Sequence, residues 1–172
     1  MELMAISSLL QWLNDSALAI LISENDFLFP WIESIHVLAI TTFFGSIAMV
    51  DLRLIHISFL ERSVHRLSLE ILPYTWTAFC IAFVTGGLLF ISKAISYAHN
   101  EFFLIKMCLL IGAAINMLIF QKITGSQMSS WVPHAQPPRA AKIAGIISLL
   151  LWITIIICGR WIGFTLLPTL GS

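Results

Sequence analysis

Charge is what this chain has least of. Its 172 residues hold nine Lys and Arg and nine Asp and Glu, which is 10% charged with no net charge. A soluble domain carries about a quarter charged residues, so water is not this protein's main solvent. There is no dense basic block, which argues against nucleic acid as a partner. Cysteine is scarce as well. Cys80, Cys108 and Cys158 stand in apolar runs with no CxxC spacing, so they are expected as small buried hydrophobes, without a disulfide or a metal. Glu2 is the only early charge, so no cleaved signal peptide is expected. GxSxG, P-loop, GxGxxG and HExxH signatures are all missing, and no internal repeat has a convincing period.

Apolar length is what the chain does have, at 59% hydrophobic residues. A membrane-spanning helix needs about 20 mostly apolar residues. Four segments reach that length, at about 31–55, 71–97, 102–123 and 142–167. Pro30 opens the first, Pro73 falls in the first turn of the second, and Pro168 closes the fourth. Residues 1–22 differ. Leu3, Ile6, Leu10, Leu13 and Ala17 recur at helical spacing, opposite Ser7, Gln11, Asn14 and Asp15. That pattern predicts an amphipathic helix lying in the membrane interface, with a fifth span over Leu3–Ile22 as the alternative. The expected fold is therefore all-α and integral to the membrane. It is one domain over 1–172, a four-helix transmembrane bundle preceded by an N-terminal interfacial helix.

Basic residues set the expected orientation. Arg53, Arg62 and Arg66 gather after the first span, and Lys122, Arg139 and Lys142 around the loop of 124–142. The SENDF and YAHNE connections have neither Lys nor Arg. The two basic loops are placed in the cytoplasm and both chain ends outside, which in a bacterial inner membrane is the periplasm. The long loop is either mobile or a docking surface.

Charge inside a span is costly, so each such residue needs a reason. His36, Lys93, Lys106 and Arg160 come from four different spans. By count along each helix they lie about 6–11 Å below the outer boundary. Glu33 is the acid beside them. Each has a plain alternative. Lys93 and Lys106 are near enough to helix ends to snorkel, Arg160 could anchor the interface beside Trp161, and Glu33 could complement a helix dipole. His36 could be a hydrogen-bonded packing residue. Their matching depth favours a shared site. Repelling cations suit a bare divalent metal poorly. A haem would use His36 on its iron and the cations on its propionates, and a quinone would use them on its carbonyls. Ile40, Phe43 and Ile47 continue the His36 face as an apolar wall, and Gly86 and Gly87 allow a close helix approach or a flat ligand. Met107 and His99 are possible second axial ligands. Asp51, Arg53 and His56 form a smaller inner group, and Asn116 is expected to bond between helices.

The runs PWIESIHVLAITTFFGSIAMVDLRLIH, GGLLFISKAISYAHNEFFLIKMCLLIGAAINMLIF and GRWIGF resemble an uncharacterised family of small bacterial inner-membrane proteins. The E-x-x-H, D-L-R-L, F-x-x-K and G-R-W pieces carry that resemblance. The first span is also similar to HemJ-type protoporphyrinogen oxidases, and the third to CopD-type copper-resistance domains. The resemblance to the HemJ type implies a haem-associated His36, and that to the CopD type matches Lys106 to a lysine of its third span. Loop lengths and the His-to-Arg spacing depart from those families, and a Met/His-rich exterior is missing.

The expected function is binding of haem b or a quinone for membrane electron transfer, with His36 as tentative haem-iron ligand and Glu33, Lys93, Lys106 and Arg160 around the cofactor. Electrons would pass to a membrane or periplasmic redox partner, or within a larger complex. The alternative is a non-catalytic membrane subunit or small transporter, with those charges as a structural ion-pair layer.

Overall fold

A computed structural model describes residues 2–55, 64–123 and 138–166. The His56 site, the Arg62 position, Pro168 and most of the long inner loop lie outside them. The described residues form seven helices: α1 (Glu2–Asn14), α2 (Ala17–Glu24), α3 (Leu28–Leu54), α4 (Val64–Ser92), α5 (Ala94–Ala98), α6 (Glu101–Ile123) and α7 (Arg139–Thr165). Four of these, α3, α4, α6 and α7, contain stretches long and apolar enough to cross a membrane. The chain is an all-helical, multi-pass membrane protein.

Two boundaries differ from expectation. The second span was expected to reach 97, but α4 stops at Ser92. The Ser92 hydroxyl takes the Leu89 carbonyl at 2.7 Å, and the Lys93 N–H turns to Phe90 O at 3.2 Å. The last turn thereby tightens, and Lys93 leaves helical geometry at φ −147° and ψ 49°. At its other end α4 begins at Val64, so Pro73 sits inside the helix and not in its first turn. The N-terminal stretch is also two helices where one was expected, bent by 56° between Asn14 and Ala17. Ser16 explains the break. Its hydroxyl accepts from the Ala19 N–H at 3.2 Å and so caps a new helix.

The spans pack antiparallel in the order α4–α3–α7–α6, with α3 on α4 and α6 on α7 as the most extensive pairs. The upper end is defined here as the one carrying α2, α5 and the start of α3. There α2 docks on α4 and α3, burying Ala19 and Ile22, while α1 lies against α5 and α4. Between the spans, small residues permit close approach. Gly145 of α7 faces the Asp51 carbonyl and the Leu54 Cβ, which an added Cβ would meet at 3.2 and 3.3 Å. Gly112 of α6 faces Leu151 of α7. Asn116 does bond between helices, donating to Ala144 O at 3.1 Å. Large apolar side chains such as Leu38, Phe83, Ile111 and Leu150 point outward, as lipid requires. Cys158 is buried as expected, but Cys80 and Cys108 lie on that outward surface. A thiol is apolar enough for lipid to replace a protein core as its surroundings.

Candidate functional site

His36 is the centre of the polar layer in the upper half. It lies on the α3 face turned to α4, where its Nδ1 is 2.9 Å from Thr85 Oγ1. A threonine hydroxyl has one proton, and Thr85 gives it to the Ile81 carbonyl at 2.6 Å. Towards His36 the oxygen can therefore only accept. Nδ1 carries the hydrogen, with the Ala82 carbonyl, 3.3 Å from the same hydroxyl, as a second acceptor for the ring, and Nε2 keeps its lone pair.

Gly86 fixes the ring's position. A Cβ there would stand 2.9 Å from His36 Cε1 and 3.5 Å from Nδ1, so the imidazole lies directly against the α4 backbone. The glycine flagged by sequence as a place for close approach receives the histidine itself.

Lys106 comes from the opposite side of the bundle. Its α6 position directs the side chain to α7, where Nζ would be 3.5 Å from a Cβ on Gly159. Cys158 is its other α7 neighbour, and its charge is close enough to act on the His36 ring. No hydrogen bond or ion pair satisfies the ammonium among the described residues. A half-buried ammonium and an imidazole lone pair thus share one level, each lying against a glycine of a neighbouring span, Gly159 and Gly86.

The remaining candidates are placed elsewhere. Lys93, freed from the span by the end of α4, lies over the Phe29 ring with Nζ 5.0 Å from its centroid. Arg160 is exposed and lies over Phe164 of its own helix, its guanidinium carbon 4.8 Å from the ring centroid. Glu33 is exposed and bears on Tyr97 in α5. Burial and then the Glu33 carboxylate push the Tyr97 phenol up to about 12. His99 is bonded through Nδ1 to Ile95 O at 2.8 Å and lines an upper-surface recess with Asn100, Glu101 and Thr165, apart from His36. Of the five residues in the expected layer, His36 and Lys106 are the pair close enough for the charge of one to act on the other.

Two contributors were not singled out in the sequence. Thr85 supplies the hydroxyl that sets the imidazole tautomer, and its signal was position alone, directly before the flagged glycine pair. Above the site Phe90 of α4 stacks on Phe103 of α6, with centroids 5.4 Å apart and planes at 12°, and Tyr97 lies 5.5 Å from Phe103. At the lower end Asp51 is buried, with Ser148 of α7 bonded to its carboxylate and Oδ2 left without a partner among the described residues. Among the described residues no three His, Cys, Asp or Glu side chains group as a metal cluster.

No curated protein and no solved structure matches the chain, so a similarity to HemJ-type or CopD-type proteins is not shown. A family of unknown function, DUF6644, matches residues 9–165, and the chain belongs to that family.

Proposed function

We propose that this protein binds a membrane redox group, haem b or a quinone, at the His36–Lys106 site and serves electron transfer in a bacterial inner membrane. The observation that carries this reading is the oriented imidazole. Thr85 holds Nδ1–H, so Nε2 presents a lone pair beside an ammonium that lacks a partner among the described residues. A histidine oriented through its other nitrogen is how proteins prepare an imidazole for a ligand.

The residues fit a haem in part. His36 Nε2 would serve as axial ligand and Lys106 would meet a propionate, while the haem would supply one-electron chemistry. The residues fit a quinone as well, with the imidazole and the ammonium both at its oxygens. A structural ion-pair layer around Glu33, as in a non-catalytic subunit or small transporter, has no comparable support, since Lys93 and Arg160 lie over aromatic rings.

The test is the visible spectrum and the lipid extract of protein purified in mild detergent from haem-supplemented cells. A Soret band or a stoichiometric quinone is expected in the wild type and lost in His36→Ala, with helical circular dichroism unchanged. A colourless, quinone-free wild type would sink the reading.

A further inference from the structure

The axial surroundings of the site define its occupant more narrowly. About one turn above Thr85 and Lys106, the Phe90–Phe103 stack bridges α4 and α6. About two turns below His36, Phe43 of α3 meets Trp152 of α7 edge-on, with centroids 4.8 Å apart, and Phe79 of α4 at 5.6 Å. His36, Thr85 and Lys106 therefore lie in a layer bounded above and below by aromatic rings. Within that layer Gly86 and Gly159 replace bulk with backbone, and His36 and Lys106 are both half-buried.

The polar groups in this layer have a definite hydrogen-bonding sense. Nε2 of His36 can only accept, and the Lys106 ammonium can only donate. A haem with two propionates calls for two cations, but Lys93 and Arg160 are turned to Phe29 and Phe164. An oxidised quinone offers acceptors alone, so it would satisfy Lys106 and leave Nε2 unmatched. A hydroquinone offers both a hydroxyl proton and oxygen lone pairs on one flat ring.

Resting on the redox-ligand reading above, we infer that the His36–Lys106 layer is a hydroquinone site that prefers the reduced head group. A ring hydroxyl donates to His36 Nε2, and a ring oxygen accepts from Lys106. Thr85 is a positioning residue that keeps the imidazole in the accepting tautomer. The ring enters sideways from the lipid, between the two aromatic layers.

The experiment titrates the detergent-purified full chain with decylubiquinol under argon and separately with decylubiquinone, following tryptophan fluorescence. The reduced form is expected to bind about tenfold tighter, the ratio set by one matched or unmatched buried acceptor. His36→Phe should collapse that ratio towards one. Thr85→Val should reduce it, and Thr85→Ser, which keeps the hydroxyl, should preserve it. Lys106→Met should weaken both forms in parallel by about tenfold or more while leaving the ratio intact, because the ammonium meets an oxygen in either form. Equal or tighter binding of the oxidised form overturns the inference, as does a ratio unmoved by His36→Phe in a variant that elutes as the wild type does. If the wild type carries a His36-dependent Soret band and binds neither quinone form, the redox reading stands and this inference falls. If it carries no cofactor and binds neither, both fall.

Discussion

His36 owes its state to two residues on the facing helix, Thr85 and Gly86, and each can be varied separately. At position 86 an added methyl would meet the imidazole at 2.9 Å, whereas at position 87 nothing lies within 4 Å. Gly86→Ala must therefore push the ring off Thr85 or part α3 from α4. Overpacking of that kind costs about 1–3 kcal/mol. The expected outcome is a lower thermal unfolding midpoint in detergent and loss of any bound redox group. Gly87→Ala, facing open space in a helix, should keep the bound group and leave the midpoint unchanged or slightly raised. A reversal of that order would mean that His36 is not seated as described. The backbone entropy lost with either glycine acts in the same direction at both positions, so the contrast isolates the contact.

Among the elements, α6 packs on α7 more than on any other neighbour, and a polar bond in mid-span helps to tie them. The Asn116 amide donates to Ala144 O at 3.1 Å. In a bilayer such a bond contributes about 0.6–2 kcal/mol. Asn116→Leu, similar in volume but without the donor, should destabilise the bundle by about that amount in a detergent or lipid unfolding titration. It should also loosen the ammonium of Lys106, because that side chain reaches α7 only while α6 stays in register. Weakened quinone or haem retention in Asn116→Leu, with no residue of the site altered, is the expected second sign. The end of α4 illustrates the same dependence of site on element. A one-residue departure from helical geometry at Lys93 moves that cation from the layer to the Phe29 ring.

At the scale of the molecule the arrangement has a direction. The spans run α4–α3–α7–α6, the bent pair α1 and α2 packs at the upper end, and Lys122, Arg139 and Lys142 lie at the other. The positive-inside bias predicts that the upper end faces away from the cytoplasm. The measurement uses a cysteine-free background, with Cys80, Cys108 and Cys158 replaced by serine or alanine, in bacterial cells. Glu101→Cys, exposed at the upper end, should react with a membrane-impermeant maleimide in intact spheroplasts. Lys122→Cys, exposed at the lower end, should react only after lysis. The opposite pattern would turn the proposed site towards the cytoplasm and to different redox partners.

Much of this protein was settled by the sequence itself. Low charge and four long apolar runs require a multi-pass helical membrane protein, because only closed backbone hydrogen bonding survives in lipid. Asn116 between helices and Gly86 at a close approach were legible too, since an apolar span leaves few uses for an amide or a glycine. Depth along each helix was also readable, and it brought His36, Lys93, Lys106 and Arg160 to one level. Direction around each helix was not. Arg160 faces outward over Phe164, and Lys106 reaches inward to Gly159, though both were counted to the same layer. Which way a side chain turns depends on which neighbour its helix meets, and that is fixed only when the four spans pack. The same holds for the tautomer of His36. It follows from Thr85 on another helix, whose single proton was already committed to Ile81.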